Sequence, residues 1–313
     1  MKPPYPFIRT KLRESRIIPF LGAGASFGSR DPSAVPWRKP AAAAQDQWDV
    51  TFLPTGKELA ECLAHDVEYP QDETRELTKV AQYFAVINGR EPLEEALNQI
   101  FALRQTPAPI HECLAEMAAD APLLIVTTNY DDLIERAFDQ AERPYDRVVH
   151  IPMSENAEIF WWRHGALKPT PLLAKELDID LAKVSVIYKI HGAADRTSCG
   201  RGHYVITEDD YIDFLSRMMK NAAIPAIFAE PFQTRHFLFL GYSLSDWNLR
   251  VVLNRIEREL RRPGDIKSWA IEARAKPLEG MLWQRRNVVV FDNLTMDQFA
   301  AALRRQARGA QRG

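Results

Sequence analysis

Cysteine is scarce, and its spacing excludes more than its number does. Cys62, Cys113 and Cys199 are the only three in 313 residues. They are far apart and odd in number, so they build neither a disulfide framework nor a Cys-x-x-Cys zinc pair. No His/Cys/Asp/Glu cluster has metal-ligand spacing, and no metal is expected. No apolar run reaches the roughly 18 residues of a membrane span. Neither sign of charge dominates: 40 Lys and Arg against 42 Asp and Glu leave a formal net charge of −2. That balance excludes a dedicated nucleic-acid binder, and the basic stretch Arg304–Arg312 reads as a solvated terminus. Met1-Lys2-Pro3-Pro4-Tyr5-Pro6 lacks the apolar region of a secretion signal. A reducing, cytoplasmic location is the expectation.

What is present is ordinary globular material, 46% hydrophobic and 26% charged, enough for one large domain or two small ones. Apolar runs predict strands at Arg16–Leu21, Leu123–Thr128, Val184–Ile190, His236–Leu240, Ser268–Ile271 and Val288–Phe291. They are apolar throughout rather than alternating, as in parallel strands covered on both faces. Helical patterns lie between them at Asp131–Ala141, Glu208–Lys220 and Ser245–Arg261. The alternation predicts an α/β fold with a doubly wound, mostly parallel sheet. Residues 29–55, punctuated by Pro32, Pro36, Pro40 and Pro54, read as a long loop. Four more helices, Gly56–His65, Asp72–Ile87, Pro92–Phe101 and Pro109–Ala118, read as a helical insertion.

In such sheets ligands bind beyond the carboxyl ends of the strands. The first strand runs into Gly22-Ala23-Gly24-Ala25-Ser26. This is either a tight turn or a cradle in which backbone N–H groups approach a diphosphate. The third glycine of a dinucleotide fingerprint is missing: Phe27 holds its place and Gly28 comes next. The second strand ends in Thr128-Asn129-Tyr130-Asp131, where amide and carboxylate fit a helix cap first and a ligand site second. The third ends in Lys189-Ile190-His191-Gly192, with His191 either a general base at neutral pH or a structural histidine. A later strand ends in Gly241-Tyr242-Ser243, where Ser243 and Asp246 have capping-box spacing and the turn also suits a nucleotide phosphate. Thr207 and Asp210 have the same spacing and read as structural. The pair Trp161-Trp162 reads as buried core.

In order and setting, these four motifs resemble those of the sirtuins. The resemblance runs from about Ile17 to Ser243. Ala34-Val35-Pro36-Trp37 and Tyr204-Val205-Ile206-Thr207-Glu208-Asp209-Asp210-Tyr211 resemble the bacterial sirtuin-like branch, NAD hydrolases of antiviral defence systems. The resemblance implies a single sirtuin-like domain over 1–313. Its Rossmann-like core spans approximately 15–40 and 121–300, its helical insertion approximately 55–120, and the zinc module of the deacylases is lacking. It implies that Gly22, Ala23, Gly24 and Ser26 hold the NAD+ diphosphate, and that Pro36 and Trp37 close over the nicotinamide. Asn129 and Asp131 would orient the ribose and a water, His191 would be the base, and Gly241 and Ser243 would hold the adenosine half.

The expectation is therefore an NAD+ glycohydrolase that uses NAD+ as substrate and works in abortive infection. A protein deacylase or ADP-ribosyltransferase, and a non-catalytic NAD or ADP-ribose-binding assembly module, are the alternatives. The chain is expected to form a homo-oligomer under the control of a partner, and the resemblance implies a hexameric HerA-type ATPase for that role.

Overall fold

The computed structural model describes residues 2–28, 30, 37, 52–101, 105–152, 158–194, 203–219, 224–242, 266–272 and 277–309. The expected helix Ser245–Arg261, most of the 29–55 loop, Cys199, Pro36 and Ser243 lie outside them.

Among the described residues, nine strands form the main sheet. They are β1 (Ile17–Leu21), β2 (Leu124–Thr127), β3 (Tyr145–His150), β4 (Glu158–Trp162), β5 (Thr170–Leu173), β6 (Ser185–Lys189), β9 (His236–Leu240), β10 (Ser268–Ile271) and β11 (Val288–Phe291). A two-residue hairpin, β7 (Gly192–Ala193) with β8 (His203–Tyr204), stands apart. The order is β11-β10-β9-β1-β2-β6-β3-β4-β5. From β11 to β3 every pairing is parallel; β3, β4 and β5 close the far side antiparallel.

The expected parallel strands are present because both of their faces are buried. Ile18, Phe20, Val126, Tyr188 and Phe239 belong to one core, and Ile17, Leu21, Ile125, Ile187 and Leu240 to another. Successive strand residues point to opposite faces, so an all-apolar strand feeds both cores. Pro19 lacks an N–H donor. β1 pairs with β9 along its whole length, while its register with β2 begins only at Phe20.

The second core is roofed by α1 (Tyr5–Arg13), α5 (Pro109–Met117), α6 (Leu133–Gln140) and α10 (Met296–Gly309). The first is closed by Phe214 of α7 (Glu208–Met219), Phe232 of α8 (Ala229–Thr234) and Trp283 of α9 (Pro277–Gln284). A third cluster gathers α2 (Gly56–Asp66), α3 (Leu77–Asn88) and α4 (Arg90–Phe101) with Leu133, Tyr204 and Ile206. Arg90 ties α4 to α7 and the hairpin: it donates to both carboxylate oxygens of Asp210 (2.8 and 2.7 Å) and to Tyr204 O (2.6 Å). Thr207 and Asp210 make the expected cap at the start of α7, each accepting the other's N–H.

Three expectations needed correction. The helix expected from Asp72 begins at Leu77. The antiparallel strands β3–β5 and helix α1 carry no strong periodic signal and went unpredicted. Of the tryptophan pair, Trp161 is buried, its indole N–H donating to Asp146 Oδ2 (2.9 Å). Trp162 is half-buried, with the Arg147 guanidinium 4.0 Å above its ring.

Candidate active site

The chain runs from β1 to β2 on one side and returns to β9 on the other, so the strand order reverses at β1. This is the crevice in which open α/β sheets bind ligands. Its floor is made by two turns packed backbone to backbone. Gly22 N–H donates to Leu240 O (2.9 Å) and Gly24 N–H to Gly241 O (2.8 Å). A Cβ on Gly24 would stand 2.8 Å from Gly241 O; one on Gly241, where φ is +69°, would stand 2.0 Å from Ala25 N. These glycines are therefore required by the contact between the turns, before any ligand is considered.

The end of β2 hangs on the first turn. Asn129 Nδ2 donates to Gly22 O and to Ser26 Oγ, both at 3.0 Å. Ser26 Oγ donates in turn to Asp131 Oδ2 (2.9 Å). Both amide hydrogens of Asn129 are spent, which fixes the orientation of the amide and leaves Oδ1 as its acceptor for a ligand. The other carboxylate oxygen of Asp131 accepts the Leu133 N–H (3.1 Å) at the start of α6. Capping and site-building, read from the sequence as alternatives, are thus combined in one side chain. Burial raises the Asp131 pKa; the Lys189 charge and the bonds from Leu133 and Ser26 oppose the rise.

His191 comes two residues after the end of β6. Its ring packs edge-on against Tyr211 and Phe214, centroids 5.3 Å away in each case. Burial, with a smaller contribution from His150, pushes its pKa down to about 3. The imidazole is therefore neutral at physiological pH, with an unprotonated ring nitrogen, though burial makes it a weaker base than a free imidazole. Gly192 turns the chain from His191 into the hairpin: its φ is +85°, and a Cβ there would lie 1.9 Å from His203 O on the opposite strand.

Ala23, Gly24, Ser26, Asn129, Asp131, His191 and Gly241 line one cleft of about 1040 Å³, a volume typical of cofactor-sized sites. Gly22 lies beneath it, supporting Asn129. Trp37 does not line it. Its ring is buried in the α2–α4 cluster and its main-chain N–H donates to Glu58 Oε1 (2.7 Å). Glu58 also accepts from Arg30 and caps α2 with Thr55, and although burial opposes it, these bonds lower its pKa to about 2. Sequence reasoning missed Lys189, 1% exposed, whose ammonium bonds Asp131 O (2.5 Å) and pairs with Glu135 Oε1 (3.1 Å). A lysine inside an otherwise apolar strand was the available signal. Among the described residues, no group of three His, Cys, Asp or Glu is placed to hold a metal, and no helix is long and apolar enough to cross a membrane.

The chain is similar to the NAD(+) hydrolase ThsA of Acinetobacter baumannii (strain 532279), 28% identical over 204 residues, 64% of this chain and 35% of that protein. Similarity to ThsA of Cytobacillus dafuensis is 30% over 200 residues, 64% of this chain and 33% of the relative. Defense-associated sirtuin 2 of Bacillus subtilis is 25% identical over 274 residues, 85% of this chain and 22% of its own length. The chain thus spans about a third or less of each of these relatives. A solved Sir2 enzyme aligns with 98% of this chain and 100% of its own at 12% identity and a TM-score of 0.42. A family model described as a SIR2-like domain matches residues 123–291. That match takes in β2 to β11, with Asn129, Asp131, His191 and Gly241, and covers more than half of the sequence: the chain belongs to the SIR2-like family.

Proposed function

We propose that the cleft hydrolyses NAD+ to nicotinamide and ADP-ribose. The observation that carries this reading is the hydrogen-bonded chain Asn129–Ser26–Asp131 facing the same cleft as a neutral His191. The relatives named NAD(+) hydrolase support it.

The reaction needs little covalent help. The C1′–N bond breaks with its electron pair on nicotinamide, and the ribose develops oxocarbenium charge. Water adds at C1′ and its proton passes to His191. Asn129 Oδ1 accepts from the water or a ribose hydroxyl and fixes its approach, a positioning effect. Asp131 holds Ser26 in place and sets a negative charge beside the cation. The turns at Gly22–Ser26 and Gly241 face the phosphates, and Ser243 and Pro36 complete the proposed NAD+ site; Trp37, whose ring is buried in the α2–α4 cluster, is not part of it. The unit in this reading is one sirtuin-like domain with a helical insertion.

Biologically, this reading makes the chain a cytoplasmic anti-phage effector acting by abortive infection. It works as a homo-oligomer under a partner, with a hexameric HerA-type ATPase as the proposed controller. Nicotinamide and ADP-ribose release is followed chromatographically, with and without that ATPase. General-base assistance is worth ~10²–10⁴-fold, so His191→Ala and Asn129→Ala are expected to lose at least about 10²-fold in turnover while staying folded. Parent-like rates in both variants would overturn the mechanism.

A further inference from the structure

Beneath the cleft lies a buried ion pair that the proposed chemistry does not use. Lys189, the last residue of β6, and Glu135, in the first turn of α6, are 1% and 3% exposed. Their charges meet at 3.1 Å. Removing two charges from water is expensive, and such a pair is often no more stabilising than apolar residues of the same size. This lysine, however, spends a donor on the main-chain oxygen of Asp131. That residue's carboxylate begins the chain through Ser26 to Asn129.

We propose that Lys189 is a positioning residue, which through Asp131 O and Glu135 locks the β2–α6 corner so that the Asp131–Ser26–Asn129 chain faces the cleft. Three links lead from the ammonium to the Asn129 amide: Lys189 Nζ to Asp131 O, Asp131 Oδ2 to Ser26 Oγ, and Ser26 Oγ to Asn129 Nδ2. The first is set by β6, the second by α6 and the third by the turn after β1. A shift of α6 is therefore passed to the amide. Lys189 also acts through its charge. Burial raises the Asp131 pKa, and Lys189 is the largest influence opposing the rise. With Asp131 protonated, the bond from the Ser26 hydroxyl is no longer charge-assisted and one acceptor oxygen becomes a donor, so the hydroxyl is oriented less firmly.

Other charged or titratable groups face this corner from every element packed on it. Asp132, beside Asp131, raises the Asp131 pKa, and Asp139 and Tyr145 interact with Glu135. His111 of α5 feels the Lys189 charge but is held neutral by burial. Lys189 is the cation acting on Asp131.

The inference rests on the hydrolase reading, and the test separates the two. NAD+ hydrolysis is measured from pH 4 to 9 for the parent, Lys189→Met, Glu135→Gln and the double variant Lys189→Met/Glu135→Met. The double variant removes both charges, so folding does not depend on an unpaired one. A parent inactive at every pH, with or without the partner, would overturn the hydrolase reading. The Lys189 inference would then be read from the Asp131 carboxyl titration by carbon NMR, assigned with Asp131→Asn. With an active parent, the double variant is expected to fold, to keep KM within about threefold and to lose roughly 10²-fold in kcat, the scale of a mispositioned reacting group. Losing an adjacent cation raises a carboxylate pKa by about 1–3 units. The acid limb is therefore expected to move up in Lys189→Met and the double variant. In Glu135→Gln, which leaves the lysine charge unanswered, it should move down. A folded double variant with parent-like kcat and acid limb would overturn the proposal. So would shifts in the same direction for Lys189→Met and Glu135→Gln, or an unmoved Asp131 titration.

Discussion

A methyl group at position 241 has no space: it would lie 2.0 Å from Ala25 N on a backbone with φ of +69°. Gly241→Ala must push the two turns apart and adopt an unfavourable conformation, at a cost of roughly 2–4 kcal/mol. Gly280, inside α9, makes the control. A Cβ there meets nothing within 4 Å, and Gly280→Ala is expected to stabilise by up to about 1 kcal/mol through helix propensity. Urea unfolding of both variants checks the contrast; equal effects would remove the packing explanation. The two glycine turns were legible in the sequence as strand ends, but their purpose was not. Gly22 and Gly241 are separated by most of the sheet's connections, and only folding reveals that each turn is the other's neighbour. Lys189 was hidden for the same reason, because its partners Asp131 and Glu135 lie far away in sequence, at and just before the start of α6.

The elements are held together at a few polar junctions, one of which joins α4 to α7. Asp210, 1% exposed, accepts from Arg90 and from the Ile206 and Thr207 N–H groups. Asp210→Ala leaves those N–H groups without their acceptor and the guanidinium without its carboxylate, a loss of about 3 kcal/mol. The hairpin is expected to loosen with it, since Arg90 also holds Tyr204 O. Denaturant unfolding together with hydrogen exchange at Val205 and Ile206 measures both effects, and unchanged protection there would refute the coupling. Element by element, legibility followed burial. β1, β2, β6, β9 and β10 feed both cores and read as continuous apolar runs. In β3 the run Tyr145-Asp146-Arg147 precedes Val148 and hides the strand: Asp146 is buried against the Trp161 indole N–H of β4, and Arg147 stacks over the Trp162 ring. Helix α1 starts among prolines, which suit a first turn but suppress a helical pattern.

Across the whole molecule, three buried histidines make the fold sensitive to acid. His111 accepts the Ala108 N–H at the start of α5 (3.1 Å). His150 in β3 packs edge-on to Phe214, with Nε2 buried and unpartnered. His191 faces the cleft. Burial pushes each pKa down to about 3, against about 6.5 in an unfolded chain. Between those values the unfolded state binds more protons than the folded one, so stability falls as pH falls. The stabilisation is complete above about pH 6.5 and is exhausted near pH 3. Each group contributes up to about 1.4 kcal/mol per pH unit, which amounts to roughly 6 kcal/mol for the three between pH 8 and 5. That rivals the whole stability of an ordinary domain, about 5–15 kcal/mol. Asp131, Asp139 and Asp297, whose pKa values are raised chiefly by burial, work in the opposite direction and soften the slope at the acid end. Urea unfolding at pH 8, 6.5 and 5 is expected to give a steep decline. In His150→Leu, which takes up no proton at this position, the decline should flatten by about a third. A stability that stays level across this range would mean that the buried imidazoles take up protons in the native protein as readily as in the unfolded chain, and a slope that His150→Leu leaves untouched would remove His150 from the account.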